Sequence, residues 1–129
     1  MNEKNWKPAG YTDVSPYLIV LKPEKLIDFL KAVFDAKELR RHAAPDGRVM
    51  HAEVRIGDSV IMMGSPPDGS SETCHVHIYV KDVDSIYQRA MKAGAKEVQP
   101  PVKKSDADRR GGFTDPIGAA TWWVATEQE

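Results

Sequence analysis

His75 and His77 stand two residues apart in the segment His75–Val80, which is rich in β-branched and aromatic residues. On a strand both imidazoles point to one face, where neutral ring nitrogens can chelate a divalent metal, and Val76, Ile78 and Val80 form the opposite, apolar face. A second alternating run, Arg48–Ile56, sets Val49, His51, Glu53 and Arg55 on one face and Met50, Ala52, Val54 and Ile56 on the other. The apolar set belongs against a core, which sends His51 and Glu53 toward the same cavity as His75 and His77. Converging there, the three imidazoles and one carboxylate would form a metal site. Bonded to one another and to water, the same residues would line a polar pocket or a dimer seam, and the sequence leaves both readings open.

Other residue types suit ligand contact. Trp122 and Trp123 are neighbours on an apolar strand, so one packs in the core and the other offers its ring to the cavity. Met62 and Met63 carry adaptable thioether chains suited to varied apolar ligands, or to core filling. Arg109 can fork onto a ligand carboxylate or phosphate, or tie its own loop to Asp108 or Asp115. Cys74 and His75 point to opposite faces and form no thiol–imidazole pair, and His42 is read as exposed. No serine triad, phosphate-binding glycine loop or HExxH motif occurs.

The elements that must position these residues follow in a repeated order. Residues 1–14 are polar and aperiodic and read as an arm that lies over the domain or frays. Pro16–Leu21 reads as a buried strand. Glu24–Phe34 reads as an amphipathic helix with Pro23 in its first turn and Leu26, Ile27, Leu30, Val33 and Phe34 on one side. A strand region through His42, the turn Pro45-Asp46-Gly47, the strand Arg48–Ile56 and the strand Ser59–Met63 complete a first unit. Turn formers then fill 65–73, and the order begins again. His75–Val80 is a strand, and Asp82 or Asp84 caps a helix closed by Gly94. Glu97–Val102 is an edge strand because of Pro100 and Pro101, 108–112 is a loop, Asp115–Gly118 is a turn and Ala120–Ala125 is the last strand. Ala36-Lys37-Glu38-Leu39 and Ala95-Lys96-Glu97-Val98 follow the two helices alike, a sign of internal duplication.

The 129 residues suffice for one domain with a real core. Eighteen basic and nineteen acidic residues, net −1, provide no field to attract nucleic acid or an anionic membrane. The single cysteine excludes an internal disulfide, no window approaches the roughly 18 apolar residues of a membrane span, and no signal-peptide pattern opens the chain. A cytoplasmic protein is expected.

With Pro16-Tyr17-Leu18, Asp28-Phe29, His51 through Met62, His75 through Asp84, and Asp108-Arg109-x-Gly111 through Asp115-Pro116-x-Gly118 to Trp122-Trp123, the chain resembles the vicinal-oxygen-chelate superfamily. The likeness is to the PhnB-like group of glyoxalase and bleomycin-resistance relatives, over residues 15–126. The resemblance implies an α+β fold: two βαβββ half-repeats whose mixed sheets curl around a concave cavity. The expected limits are a first module at 15–65, a linker at 66–73 and a second module at 74–126 within a single domain at 15–129. Metal-dependent relatives take ligands from the first and last strands of both halves; those positions fall here on Ser15, within Ile61–Met63, on His75 and on Trp122. Only His75 is a suitable ligand, so the family's metal site is expected to be absent. The same correspondence makes Trp122 the cavity-facing indole.

The resemblance further implies a homodimer. The leading expectation is a metal-free small-molecule-binding protein similar to bleomycin-resistance proteins, with Tyr17, His51, Glu53, Met62, His75, His77, Arg109 and Trp122 lining the ligand site. A net charge of −1 argues against cationic bleomycin itself as the ligand. The alternatives are a glyoxalase-type lyase or isomerase with a zinc or nickel ion on His51, Glu53, His75 and His77, and a structural dimer without ligand.

Overall fold

A computed structural model of the chain describes residues 7–66, 74–104 and 108–128. The first half comprises β1 (Tyr17–Ile19), α1 (Pro23–Phe34), β2 (Lys37–Ala43), β3 (Val49–Ile56) and β4 (Ser59–Gly64). The second comprises β5 (Cys74–Tyr79), α2 (Val83–Lys92), β6 (Lys96–Lys103), β7 (Asp108–Thr114) and β8 (Ala120–Glu127). Each half makes one mixed four-stranded sheet of the same order, β1-β4-β3-β2 and β5-β8-β7-β6, with the first and last strands parallel and the rest antiparallel. The fold is α+β with a repeated βαβββ unit, as expected. Most of the linker expected at 66–73 lies outside the described residues.

The helices form where the apolar spacing requires. In α1, Pro23 occupies the first turn, where its missing N–H costs nothing, and Leu26, Ile27, Leu30 and Val33 are fully buried. Asp35 ends α1 in the left-handed conformation. Asp82 caps α2 by accepting from the Ser85 N–H, and Gly94 follows the helix at φ 97°. Arg89 of α2 donates to the Ala32 carbonyl at 2.8 and 3.2 Å and pairs with Asp35 at 2.9 Å, so one helix satisfies the orphan carbonyl end of the other.

Both helices and the helix-bearing faces of both sheets meet in one core. Phe113 of β7 packs against Phe29 and Phe34 of α1 and Tyr87 of α2, and Phe34 reaches Trp122 of β8. The opposite sheet faces therefore turn outward.

Two elements differ from the sequence reading. Residues 108–112, expected as a loop, belong to β7, which is paired on both sides to β6 and β8. Its turn-like composition is tolerated because Gly111 and Gly112 sit where neighbours crowd the strand: a Cβ on Gly112 would lie 2.6 Å from the Trp123 ring. In β3 the alternation breaks at its start. The pairing slips between His42↔His51 and Ala43↔Val49, so Val49 is buried and Met50 is 49% exposed, the reverse of the expected faces. The unpaired residue of a bulge reverses the parity of what precedes it. The edge position of β6 and the pairing irregularity between Gln99 and Val102, around Pro100 and Pro101, agree with the expectation.

Candidate functional site

The outward face of the first sheet is built on a row running Tyr17 of β1, Met62 of β4, Glu53 of β3. Glu53 is 3% exposed, with each carboxylate oxygen engaged. His51, two residues earlier on the same face, donates its Nε2–H to Oε2 at 2.7 Å. Tyr11 donates its hydroxyl to Oε1, and the Arg40 guanidinium stands 3.8 Å away. A carboxylate only accepts, so His51 carries its proton on Nε2, and in the neutral ring Nδ1 then accepts from the Tyr17 hydroxyl at 3.2 Å. Burial pushes the Glu53 carboxyl up, but the His51 and Tyr11 hydrogen bonds with the nearby positive charge outweigh it and hold the group below the usual range.

The sign for stability follows from that direction. A carboxyl more acidic when folded than when unfolded stabilises fully above its unfolded pKa and loses that contribution as pH falls through the folded value. Glu53→Gln is therefore expected to be less stable than the parent at neutral pH, with the difference closing below about pH 4. Urea unfolding at a series of pH values checks this, and a difference independent of pH contradicts it.

The second sheet repeats the row as His77 of β5, Trp123 of β8, Gly112 of β7. The Trp123 ring lies over Gly112, within 14° of parallel to His75, and its Nε1–H donates to His75 Nδ1 at 3.1 Å. Arg110 donates its Nε–H to His77 Nε2 at 3.1 Å and an Nη2–H to Asp108 at 2.7 Å, and the Tyr79 hydroxyl also donates to Asp108 at 2.7 Å. Burial and the Arg110 charge hold His77 below the usual imidazole range, which favours the neutral ring. A neutral imidazole has one lone pair. His75 and His77 each spend theirs on a protein donor and turn an N–H outward.

These positions revise several expectations. Trp122 does not face the cavity: it is 0% exposed, lies against Phe34, and donates Nε1–H to Asp115 at 2.8 Å. Trp123 takes the outward place. Trp122 shares its face of β8 with Val124, and Trp123 shares the other face with Thr121. Arg109 is likewise on the helix side, forked onto Asp84 of α2 at 2.9 Å through both Nε and Nη2, while Arg110, missed in the sequence, is the outward arginine. Tyr11, from the arm, was also missed.

Tyr17, His51, Glu53 and Met62 share one outward face, and His75 and His77 share the other. The two sets do not converge within a chain, as the four-residue metal reading required. Among the described residues no group of three or more His, Cys, Asp or Glu side chains stands together to hold a metal ion. The outward positions on the first and last strands of each half, Tyr17, Met62, His75, His77, Thr121 and Trp123, do not fit a divalent metal centre, because the two imidazole lone pairs are already engaged. Between the halves a cleft of about 390 Å³ is lined mainly by apolar residues, among them Val14, Pro16, Ile56, Ile61, Val76 and Ile78, with His77 and Tyr79. No described helix is long and apolar enough to cross a membrane.

Comparison with known proteins agrees with this architecture. The model of the Glyoxalase/Bleomycin resistance protein/Dioxygenase superfamily matches residues 12–123. An uncharacterized protein of Mycobacterium bovis is 34% identical over 126 residues, covering 88% of this chain and 80% of its own. Among solved structures, TioX from Micromonospora sp. ML1 superposes with a TM-score of 0.77 at 25% identity, covering 90% of this chain and 98% of that one. A PhnB protein from Bacillus cereus gives 0.73 at 13% identity, with 89% and 99% covered. The fosfomycin resistance protein FosX from Listeria monocytogenes, complexed with Mn(II) and sulfate, gives 0.69 at 16% identity, with 90% of each chain covered. The chain belongs to the glyoxalase/bleomycin resistance protein/dioxygenase superfamily.

Proposed function

We propose that this protein is a metal-free, small-molecule-binding homodimer, in which the outward face of the first module of one copy and that of the second module of the other enclose the ligand. The observation that carries this reading is the shared core. Because α1, α2 and both helix-bearing sheet faces pack together, each polar, aromatic face is turned away from the other and forms only half of an enclosure. A second copy supplies the missing half and covers the unpaired edges of β1 and β5 and the exposed Tyr17, Met50 and Tyr79. Trp123 offers a flat ring, and His75 and His77 offer N–H donors, a combination suited to a planar ligand bearing hydrogen-bond acceptors. Cys74 as the single cysteine accords with a cytoplasmic location.

Sedimentation velocity at micromolar concentration is expected to show a dimer, elemental analysis of untagged protein to show no stoichiometric metal, and an aromatic fragment screen to quench Trp123 fluorescence. A stable monomer, or a metal at one equivalent, overturns the reading.

A further inference from the structure

The outward face of the first module already holds an aromatic ring, borrowed from outside the repeat. Residues 8–11 turn across the sheet, with the Tyr11 N–H on the Pro8 carbonyl at 3.2 Å and Gly10 at φ 82°. The Gly10 carbonyl accepts from Arg55, and the Tyr11 ring has the Arg40 guanidinium 5.5 Å and the Arg55 guanidinium 6.0 Å from its centre. Its hydroxyl reaches Glu53, the buried carboxylate at the middle of the face.

The internal repeat shows what that position is for. The helices begin sixty residues apart, at Pro23 and Val83, and the rows Tyr17–Met62–Glu53 and His77–Trp123–Gly112 correspond. In the second module the sheet supplies its own ring, Trp123, laid over Gly112. In the first module the matching strand residue is Met62, which supplies no ring, and Gly112 is replaced by Glu53, a hydrogen-bond acceptor that a bare hydrocarbon ring would leave unsatisfied. The surroundings are made for one chemistry. Two guanidinium groups favour an electron-rich ring, the carboxylate demands a hydroxyl donor on it, and a ring bearing a carboxylate in place of the hydroxyl is repelled.

We infer that the Arg40–Arg55–Glu53 face is a hydroxyarene subsite, which binds the phenolic ring of a ligand, and that Tyr11 occupies it as an internal stand-in until such a ligand displaces the arm. The inference rests on the small-molecule-binding reading above and adds the chemical class that one half of the enclosure accepts. Displacement is feasible because a phenol takes over the contacts of the Tyr11 side chain, the bond to Glu53 and the place beside the two guanidinium groups, leaving only the Arg55 bond to the Gly10 carbonyl to be exchanged for water.

The test uses the full chain and p-cresol, the tyrosine side chain as a free molecule, with 4-methylanisole as the control that lacks the hydroxyl proton. Binding is followed by NMR at the resonances of Tyr17 and His51. Tyr11→Ala is expected to bind p-cresol about tenfold more tightly than the parent, since the competing arm no longer occupies the site. Tyr11→Phe, which keeps the ring and the arm, is expected to fall between them, and 4-methylanisole is expected to gain nothing. Equal affinity for p-cresol in parent and both variants, or an equal gain for 4-methylanisole, overturns the proposal. If p-cresol instead perturbs only the Trp123 and His75 resonances, this subsite is refuted while the binding function stands. If no resonance on either face moves in any variant, both fail.

Discussion

Trp122→Ala is expected to cost about 3–5 kcal/mol of stability, enough to lower the urea midpoint severely, because it empties the largest fully buried side chain of the core. The loss is not of area alone. The indole lies against Phe34 of the other module and its N–H satisfies Asp115, so its removal opens a void where the two halves meet and strips a donor from a buried carboxylate. Trp123→Ala, one residue on, is expected to cost about 1 kcal/mol, since its ring is only half-buried, on the outward face over Gly112. Its effect belongs to ligand binding and to the fluorescence that reports it. Equilibrium unfolding of both variants checks the pair. A stability loss larger for Trp123→Ala would return Trp122 to the outward face that the family correspondence assigned to it.

Asp115→Ala is expected to be comparably damaging, at about 3 kcal/mol or more, because one buried carboxylate organises the whole turn into β8. Asp115 is 2% exposed and accepts four hydrogen bonds: from the Ile117 N–H at 3.1 Å, from the Ala119 and Ala120 N–H groups at 2.9 Å, and from the Trp122 indole at 2.8 Å. Alanine leaves three buried donors, the Ala119 and Ala120 N–H groups and the Trp122 indole, and the part-buried Ile117 N–H without their acceptor. The near-isosteric Asp115→Asn separates shape from charge. An amide keeps one acceptor oxygen but sets an NH₂ group against two donors, the Ala120 N–H and the Trp122 N–H if the oxygen stays on the Ile117 side. Asparagine is therefore expected to recover little of the loss. If Asp115→Asn unfolds at the parental urea concentration, the acceptor role is wrong and only the size of the residue matters.

The helices and most strands were legible because their evidence is local. Leu26, Ile27, Leu30 and Val33 recur at the spacing of one helix face, and each is fully buried in α1. Likewise, His75 and His77 alternate with Val76 and Ile78, and the two sets do take opposite faces of β5. Three features were not legible, each for a definite reason. Val49 and Met50 exchanged places because a bulge depends on how β2 pairs with β3, which no alternation within β3 reveals. Residues 108–112 have the composition of a turn, and only pairing to strands on both sides makes them β7. The arm carries no periodicity, yet Tyr11 is placed by a buried carboxylate forty-two residues away.

By itself, then, the sequence determined most of the elements, the apolar face of each helix and the opposition of neighbouring residues on a strand, because each depends on spacing within a dozen residues, and the duplication followed from the recurrence of those elements sixty residues on. The tertiary structure alone decided which of two adjacent residues, Trp122 or Trp123, Arg109 or Arg110, turns outward, and that His51–Glu53 and His75–His77 lie on sheet faces directed apart. Alternation sets neighbours on opposite sides of a strand but does not say which side meets the core. That choice was made by Asp115 anchoring the Trp122 indole, by Asp84 capturing Arg109, and by the packing of Phe29, Phe34, Tyr87 and Phe113 that closed the two helix-bearing faces on each other.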